Sequence, residues 1–478
     1  MLLSELATAC GARYCGEDTD IVSIEYDSRK VTQGSLFCCV VGLLFDGHTF
    51  AAGAVEKGAS ALLVERELPL DVPQLVVTNA RKAMAEMAAA FYGYPHREMQ
   101  MLGVTGTNGK TTTTYMVKAI AEQAGRKVGI IGTIRNMIGN ESLHTDRTTP
   151  ESVDLFRLLR TMADAGVDLV VMEVSSHALE QFRVHGIRFD VSLFTNLTQD
   201  HLDYHKSFAN YLNAKKILFL NSNRAVVNVD DPYSGRIMDG LTIPILTFGV
   251  RDRADITATD IDITTGGVQF DLHTPEGDVL MHVQTPGLFS VFNAMGAAGL
   301  ALSIGIRLAD VKEGLEALTS VSGRLESVRT DRPFSVFVDY AHTPDALENV
   351  LKTVCEFAKA RVICVFGCGG DRDRAKRPIM GEIAGRFSEF CIITSDNPRT
   401  EEPMSIIETI EEGTKRSGTK YTVIENRREA IRYALSIAQP NDVIMIAGKG
   451  HENYQEINGT KYHFDDKEIV RELLDEGV

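Results

Sequence analysis

A glycine-rich turn between an apolar segment and a polar helix start is the first candidate for chemistry in this sequence. Gly106 and Gly109 leave room for backbone N–H groups to turn towards a phosphate. Lys110 can then reach the β- and γ-phosphates, and the Thr111 hydroxyl can bind Mg²⁺. The turn therefore predicts an ATP or GTP site. Its residues are Thr105, Gly106, Thr107, Asn108, Gly109, Lys110, Thr111 and Thr112.

The flanking segments support this interpretation, although the loop departs from the strict phosphate-loop pattern. Val104 stands where the first glycine is expected, whereas Gly-Lys-Thr at 109–111 is intact. Residues 101–105 have the character of a short strand, and residues 112–123 have the apolar spacing of a helix. An ordinary glycine turn between a strand and a helix is the alternative.

Length and composition predict a multidomain globular protein. A chain of 478 residues is too long to fold around a single hydrophobic core. At about 150 residues per domain, this length predicts roughly three domains. With 44% hydrophobic and 24% charged residues, the chain does not belong to the disordered or fibrous classes. A net charge of -16 without basic stripes argues against a nucleic-acid surface.

Cysteine usage and the first residues predict a cytoplasmic protein. The eight cysteines include no Cys-x-x-Cys pair and no histidine at zinc-finger spacing, which favours reduced and mostly buried thiols. Residues 1–10 carry no basic residue ahead of an apolar stretch, so we expect no signal peptide. Residues 286–306 carry no charge, but four glycines and Asn293 favour a helix packed within the protein over a membrane span.

The order of apolar and helical patterns predicts an α/β protein with three domains. Residues 1–99 form a small α/β domain in this interpretation, with helices near 51–57 and 80–92. Residues 100–328 alternate between strand and helix, which predicts a central P-loop ATPase with a mainly parallel sheet. Residues 329–478 contain four further strand candidates with helices between them, which predicts a C-terminal Rossmann-like domain.

Two polar groups follow buried strands of the predicted central sheet, where ligands of open α/β sheets bind. Glu173 ends the strand at 169–174, and its carboxylate could share a Mg²⁺ with Thr111. Capping of the next helix is the alternative role for Glu173. His201 lies beside Asp200 after the strand at 189–195, and we expect that loop to face the nucleotide, although a lone histidine is more often structural.

The helical run at 210–219 contains two adjacent lysines that point in different directions. Tyr211, Leu212, Leu218 and Phe219 share a face with Lys215, whereas Lys216 is turned about 100° away. A lysine held among apolar groups has a lowered pKa, and its neutral amine could react as a nucleophile. A Lys215 head that extends to solvent is the alternative.

Six motifs, taken in order along the chain, resemble those of the Mur ligase family, which builds the peptide stem of bacterial peptidoglycan. They are Thr105–Thr112, Met172–His177, Thr195–His205, the Ala-Lys-x-x-Leu-Phe run at 214–219, Gly323–Glu326 and Asp339–His342. The resemblance covers nearly the whole chain and is closest to the members that add the third residue of the stem. It implies ATP as co-substrate and Mg²⁺ as cofactor. It also implies UDP-N-acetylmuramoyl-L-alanyl-D-glutamate and meso-2,6-diaminopimelate as partners.

The resemblance also implies roles for individual residues. Lys215 carries a carbamate (N6-carboxylysine) and binds metal together with Thr111, Glu173 and His201. The implied catalytic residues are Lys110, Lys215, Glu173, His201 and Arg324, and further ATP contacts are Asn293, Arg324 and Asp339. The implied contacts to the UDP-muramoyl-dipeptide are Ser28, Thr148, Thr149, Ser175, Gln181 and Arg183. Those to diaminopimelate are Arg372, Asp396, Asn397, Pro398, Arg399, Gly448 and Glu452.

The loop Asp396-Asn397-Pro398-Arg399 is the basis of a hypothesis about which amino acid is the substrate. Meso-diaminopimelate differs from lysine by one distal carboxylate, so an enzyme that selects it needs a cation there. Arg399 supplies that cation and can grip a carboxylate through two parallel hydrogen bonds, with Arg372 as a second clamp. Glu452 can balance the ammonium group. A solvated surface arginine is the alternative for Arg399.

Two other functions compete with amide ligation by this family. A folylpolyglutamate-synthase-like ligase shares the ATPase core, but about 99 residues ahead of the phosphate loop argue against it. A nucleotide-dependent switch would use the phosphate loop for conformational change, whereas the charged loops after residue 329 favour a small-molecule site.

Overall fold

The computed structural model describes residues 1–42, 45–143, 147–198, 202–251 and 253–478. These residues form two compact units, which are 1–257 with 295–314 (unit 1) and 258–294 with 315–478 (unit 2). The helices are α1 (Leu3–Cys10), α2 (Ala51–Glu56), α3 (Ala80–Phe91), α4 (Lys110–Gln123), α5 (Ser152–Asp164), α6 (Ser176–Glu180), α7 (Leu202–His205), α8 (Phe208–Leu220), α9 (Ser234–Met238), α10 (Leu288–Ser303), α11 (Leu308–Ala317), α12 (Pro344–Phe357), α13 (Lys376–Phe387), α14 (Pro403–Ser417), α15 (Arg427–Ile437) and α16 (Asp466–Asp475).

The strands are β1 (Arg13–Cys15), β2 (Ser23–Glu25), β3 (Ser35–Cys38), β4 (Ala59–Val64), β5 (Gln74–Val76), β6 (Gln100–Thr105), β7 (Val128–Ile131), β8 (Asn136–Ile138), β9 (Glu141–Leu143), β10 (Leu169–Glu173), β11 (Val191–Phe194), β12 (Ala225–Asn228), β13 (Ile245–Gly249), β14 (Ile256–Thr264), β15 (Gly267–Thr274), β16 (Gly277–Val283), β17 (Glu326–Val328), β18 (Ser335–Asp339), β19 (Val362–Phe366), β20 (Phe390–Ile393), β21 (Lys420–Val423), β22 (Val443–Ala447), β23 (Tyr454–Ile457) and β24 (Thr460–His463). Among the described residues, 3-10 turns lie at Gly47–Phe50 and Pro95–Arg97.

The first residues of unit 1 form the small α/β sheet that the sequence predicts. Its strand order is β1-β5-β4-β3-β2, with β2 to β5 parallel and β1 antiparallel at the edge. Helix α3 begins at the cap residue Asn79, whose side chain accepts the Lys82 N–H. Its alanines and methionines are buried in the same core as the strands.

The phosphate-loop strand β6 lies between β10 and β11 in a parallel sheet of unit 1. Glu173 on β10 pairs with Val104, and Phe194 on β11 pairs with Thr105. Strands β12 and β13 extend the sheet beyond β11, and β7 extends it beyond β10, all in parallel. Because parallel strands end at the same edge, the loops after β6, β7, β10 and β11 lie side by side. The predicted mainly parallel sheet is confirmed.

Residues 256–283 differ from the strand–helix alternation that the sequence analysis extends to residue 328. They form three successive strands, of which β15 and β16 pair antiparallel in unit 2. Val268, Phe270 and Leu272 on β15 are buried, whereas the residues between them are more exposed. This period of two is the pattern of a strand with one buried face, and it specifies a hairpin without an intervening helix.

The uncharged segment at 286–306 contains helix α10, and no helix among the described residues is long and apolar enough to cross a membrane. In unit 1, a Cβ at Gly296 would lie 3.1 Å from the Leu193 side chain. A Cβ at Gly299 would lie 2.7 Å from the Val226 side chain. The small residues therefore let the helix pack closely on strands β11 and β12, as the sequence predicts.

The large sheet of unit 2 has helices on both faces. Its strand order is β17-β18-β22-β19-β20-β21, and every strand except the antiparallel edge strand β17 is parallel. Helices α12, α13 and α14 pack on one face, and α15 and α16 pack on the other. The predicted Rossmann-like domain is confirmed. The sequence analysis found β18, β19, β20 and β22 but missed the two edge strands.

The described cysteines carry free thiols, as the sequence predicts. Five of them are buried, namely Cys38, Cys39, Cys364, Cys368 and Cys391. Burial raises the pKa of the Cys368 thiol to about 12 and that of Cys391 to about 11. These thiols are therefore poor nucleophiles near neutral pH and act as apolar core residues.

His96 is expected to lower the stability of the folded state as the pH falls. The ring is buried in the turn Pro95–Arg97, with its centroid 5.4 Å from that of Phe156. Burial lowers the pKa of His96 from 6.5 to about 4. Between these two pH values the unfolded chain takes up a proton that the folded chain does not. The free energy of unfolding should therefore fall between pH 7 and pH 4, by at most about 3 kcal/mol from proton linkage and by less where water screens the ring.

Urea unfolding of the wild type and of His96→Gln at the two pH values measures this contribution. The variant should lose less stability than the wild type over the same interval. An equal loss in both proteins would show that His96 does not contribute.

Candidate functional site

The phosphate loop of unit 1 has the geometry that its glycines predict. Gly109 has a φ of 86° and precedes helix α4, which begins at Lys110. A Cβ at Gly106 would collide with the Thr195 hydroxyl, so only glycine fits there. The Lys110 ammonium donates hydrogen bonds to the carbonyls of Gly106 at 2.9 Å and Thr107 at 2.7 Å. It therefore lies over the loop, where the β- and γ-phosphates of a nucleotide would bind.

The end of strand β11 holds the phosphate loop in place. The Thr195 hydroxyl donates to the Asn108 carbonyl at 2.6 Å. Asn196 accepts the N–H of Thr107 on its carbonyl and the N–H of Asn108 on its side-chain oxygen, both at 2.9 Å. These contacts fix the loop backbone before any phosphate arrives, which lowers the entropic cost of binding.

Glu173 lies at the centre of a hydroxyl cluster beside the phosphate loop. The Thr111 hydroxyl donates to Glu173 Oε2 at 2.9 Å. Thr133, in the loop after β7, donates its N–H to Oε1 at 2.8 Å and its hydroxyl to Oε2 at 3.0 Å. The capping alternative for Glu173 does not hold, because Ser175 caps helix α6 by accepting the Ala178 N–H.

The two neighbouring lysines on helix α8 differ in the way that the sequence predicts. Lys215 is 1% exposed, and its ammonium donates to the Gly106 carbonyl at 2.8 Å and lies 4.4 Å from the centre of the Tyr211 ring. The side chain of Lys216 is 22% exposed and lies 4.0 Å from Asp239. Lys215 is therefore the lysine that faces the phosphate loop, and it does not extend to solvent.

The donor set around Glu173 fits Mg²⁺, which prefers hard oxygen ligands. A buried carboxylate and the Thr111 hydroxyl stand 2.9 Å apart at the start of a phosphate-binding helix. Within the described ranges no group of three or more histidine, cysteine, aspartate or glutamate side chains could hold a metal. The Thr111 hydroxyl and the Glu173 carboxylate could hold Mg²⁺ together with the nucleotide phosphates. His201 lies outside the described residues, so its predicted metal contact has no structural description.

A second feature of unit 1 is a cavity of about 1240 Å³, large enough for a nucleotide-linked substrate. Ser28, Gln181 and Arg183 line it, as three of the predicted substrate residues. Of the other three, Thr149 lies next to Arg183, which donates to the Thr149 carbonyl at 3.0 Å. The Thr149 hydroxyl bonds the Glu173 carbonyl and contacts Ser175, and Thr148 pairs with Thr133 at 3.0 Å.

Three arginines in this cavity surround the buried carboxylate of Glu151. Arg147 lies 2.5 Å from it, and Arg81 and Arg183 each lie 3.2 Å from it. Burial lowers the pKa of Arg183, and Glu151 opposes that shift. Three guanidinium groups against one carboxylate leave the cavity wall with an excess of positive charge. Such a wall suits a ligand with a diphosphate and carboxylates.

In unit 2, loops that follow the parallel strands form a second polar cluster. Asp339, at the end of β18, accepts the Leu325 N–H at 2.7 Å and the Ala341 N–H at 2.8 Å. Burial raises the pKa of Asp339, and the Arg324 charge opposes this shift. The Arg324 guanidinium lies 5.8 Å from the centre of the Tyr340 ring. Asn293, the remaining predicted ATP contact, is buried on helix α10.

The loops after β20 and β22 form one hydrogen-bonded assembly in unit 2. The Asn397 amide donates to Glu452 at 2.8 Å, and its oxygen accepts the buried Lys449 ammonium at 3.2 Å. Arg399 donates to the Gly370 carbonyl at 2.8 Å and lies 3.3 Å from Glu456. A Cβ at Gly448 would lie 2.6 Å from an Asp396 oxygen, so the two loops are in close contact.

Comparison with known proteins decides the family. Three family models match the chain: "Mur ligase family, catalytic domain" at 20–92, "Mur ligase middle domain" at 104–301 and "Mur ligase, glutamate ligase domain" at 323–450. The chain belongs to the Mur ligase family. It is 48% identical over 470 residues to the UDP-N-acetylmuramoyl-L-alanyl-D-glutamate–2,6-diaminopimelate ligase of Geobacillus thermodenitrificans, covering 96% of both chains.

Two further relatives agree with this assignment. The ligase of the same name from Clostridium botulinum is 47% identical over 464 residues, again with 96% of both chains covered. A solved structure of a UDP-N-acetylmuramoyl-L-alanyl-D-glutamate–2,6-diaminopimelate ligase is 35% identical, with a TM-score of 0.72. That match covers 96% of this chain and 95% of the other.

Within each unit of the Mur ligase, most of the residues that the sequence predicts for a site there lie near one another. Arg372 differs from the other residues selected for the amino acid, because its exposed side chain contacts only the Asp371 carbonyl among the described residues. Sequence reasoning missed Thr133, although it follows strand β7 and the strand-end rule applies to it. It also missed Arg81, Glu151 and Glu456, which no local motif distinguishes.

Proposed function

We propose that this Mur ligase uses ATP to join meso-2,6-diaminopimelate to the D-glutamyl carboxylate of UDP-N-acetylmuramoyl-L-alanyl-D-glutamate. The structural observation that supports the proposal is the loop after β20 in unit 2, where Asn397 bonds Glu452 and Arg399 pairs with Glu456. The curated relatives at 47–48% identity are named for this reaction. The product is a precursor of peptidoglycan, and we assign the reaction to the cytoplasm because ATP is its co-substrate.

Activation of the carboxylate is the first task of the site. A carboxylate is a poor electrophile, so transfer of the ATP γ-phosphoryl group to it gives an acyl phosphate with a good leaving group. Lys110 neutralises charge on the β- and γ-phosphates, and the N–H groups of the phosphate loop bind them. The proposed ATP contacts are the loop from Thr105 to Thr112 and the side chains of Asn293, Arg324 and Asp339.

We propose that Mg²⁺ is bound by Thr111, Glu173, His201 and a carbamate on Lys215. When bound, Mg²⁺ neutralises phosphate charge and orients the γ-phosphoryl group. Glu173 accepts the hydroxyls of Thr111 and Thr133, which holds its carboxylate in one orientation. Lys215 is held between the Gly106 carbonyl and the Tyr211 ring, so its head group has one position beside the loop.

The amine of diaminopimelate then attacks the acyl phosphate, and inorganic phosphate leaves. No protein nucleophile is needed for either step, so positioning supplies most of the catalysis. The cavity with Ser28, Gln181 and Arg183 would hold the UDP-linked dipeptide. Thr148, Thr149 and Ser175 lie between that cavity and Glu173, and we place the D-glutamyl carboxylate near them.

We propose domain boundaries at 99/100 and 328/329, with the N-terminal domain for the uridine nucleotide, the central domain for ATP and the C-terminal domain for the amino acid. The three family matches, at 20–92, 104–301 and 323–450, support this division. The C-terminal match begins a few residues before the proposed boundary.

ADP release in the presence of different amino acids tests the proposed function. The full chain would be supplied with ATP, Mg²⁺ and the UDP-dipeptide, and then with single amino acids that include meso-diaminopimelate and L-lysine. ADP release should require both the UDP-dipeptide and meso-diaminopimelate. Turnover without either substrate would indicate a nucleotide switch, and turnover with a folate and glutamate would indicate a folylpolyglutamate-type ligase.

Arg399→Ala should remove the preference for meso-diaminopimelate over L-lysine. The loss of a guanidinium that binds the distal carboxylate costs a few kcal/mol, so kcat/KM for diaminopimelate should fall about a hundredfold. The value for lysine should change little. Arg386→Ala removes the same charge from an exposed site on helix α13 and serves as the control. A wild type that prefers lysine, or a variant that keeps its preference, would contradict the proposed role.

A further inference from the structure

The backbone of Arg399 is held by the hairpin of β23 and β24, independently of its side chain. Arg399 has a φ of 52°, which a residue with a side chain adopts only where its surroundings hold it. Its N–H donates to the Glu456 carbonyl at 3.0 Å, and its carbonyl accepts the Asn458 N–H at 2.7 Å. These bonds form an isolated parallel bridge between Arg399 and Ile457. The hairpin therefore fixes the backbone position from which the Arg399 side chain extends.

The guanidinium of Arg399 has two neighbours with different roles. The Gly370 carbonyl accepts Nη1 in a hydrogen bond of 2.8 Å, which orients the group. The Glu456 carboxylate lies 3.3 Å from Nε as an ion pair, and the two atoms form no hydrogen bond. Orientation is thus supplied by the backbone bonds and by Gly370, whereas Glu456 supplies mainly a negative charge.

Glu456 faces Arg399 rather than another cation. Lys461 lies directly opposite Glu456 in the hairpin, but its ammonium sits 4.1 Å from the centre of the Tyr454 ring. Among the described residues, Arg399 is the cation that pairs with Glu456. The side chains of Arg399 and Glu456 are 20% and 25% exposed, so water screens the pair only in part.

We propose that Glu456 is a specificity-determining residue that acts through Arg399 as its resident counter-ion. This inference rests on the proposed function. The distal carboxylate of diaminopimelate must compete with Glu456 for the guanidinium, so Glu456 weakens binding of the amino acid. Removal of its charge leaves Arg399 in place and makes the site more positive. Such a site attracts the distal carboxylate more strongly and repels lysine, which lacks that carboxylate.

Steady-state kinetics of Glu456→Gln test this inference. The KM for meso-diaminopimelate should fall about two- to fivefold, the size expected for a partly exposed ion pair. The values of kcat and of KM for ATP should not change, whereas a merely structural role would move them. The preference for diaminopimelate over lysine should rise, which is opposite to the effect of Arg399→Ala. Higher ionic strength should reduce the difference from the wild type.

Glu468→Gln is the matched control, because Glu468 pairs with His463 on the same hairpin and has no contact with Arg399. It should behave like the wild type. If the wild type uses diaminopimelate but Glu456→Gln has an unchanged or raised KM for it, the inference is wrong. A wild type without diaminopimelate-dependent ADP release would instead overturn the proposed function.

Discussion

Lys110→Ala is expected to abolish ATP-dependent ligation while the protein remains folded. The Lys110 ammonium lies over the phosphate loop, bonded to the carbonyls of Gly106 and Thr107. In the proposed mechanism, its loss removes the positive charge that faces the β- and γ-phosphates in the transition state. Contacts of this kind in water-excluded sites contribute several kcal/mol, so kcat should fall on the order of 10³-fold or more. The assay is ADP release with saturating UDP-dipeptide and diaminopimelate.

The control for Lys110→Ala is Lys127→Ala, which removes the same charge from an exposed position after the far end of helix α4. The control should keep wild-type turnover. Thermal unfolding of both variants should occur near the wild-type temperature, because Lys110 is only half-buried. Near-normal turnover in Lys110→Ala would remove the phosphate loop from the mechanism.

The sequence was sufficient for those parts of the site that depend on local order. Gly106 and Gly109 predict the turn, and the structure shows that a Cβ at Gly106 would collide with Thr195. Glu173 was found because a parallel sheet places its ligands at the carboxyl ends of strands. The burial of Lys215 followed from helical spacing, since side chains three and four residues apart share a face.

Other parts of the site depend on contacts between distant segments and could not be predicted from the sequence. Glu151 can be recognised as a candidate site residue only from its contacts with Arg81 and Arg183. These arginines lie 70 and 32 positions away in the sequence. Glu456 pairs with Arg399 only because the hairpin of β23 and β24 lies along the loop after β20. No spacing rule connects such residues, so their closeness in the folded protein cannot be predicted from a single sequence.

The surroundings of Lys215 favour a modified head group. Both Lys110 and Lys215 donate to the Gly106 carbonyl, at 2.9 Å and 2.8 Å. Two ammonium groups on one carbonyl oxygen repel each other, and burial strengthens the repulsion. The neutral amine of Lys215 can react with CO₂ to give a carbamate, with loss of one proton. That reaction would replace two repelling cations by an attractive pair of opposite charges.

We therefore predict that Lys215→Ala is nearly inactive and that Lys216→Ala is active. The loss of a carboxylate among the phosphate and metal ligands should lower kcat on the order of 10²- to 10³-fold. Formate or acetate should restore part of the activity in Lys215→Ala, because a small carboxylate can enter the space that the side chain leaves. Thermal unfolding of both variants should confirm that the inactive one is folded.

A carbon-13 label tests the modification without reference to activity. Protein equilibrated with ¹³C-bicarbonate should show a carbamate carbonyl resonance in the wild type and in Lys216→Ala, and none in Lys215→Ala. Lys216 is the matched control because it adjoins Lys215 on helix α8 but is turned towards Asp239. A resonance that persists in Lys215→Ala would place the carbamate elsewhere. Full activity of Lys215→Ala without added carboxylate would show that the site works without this head group.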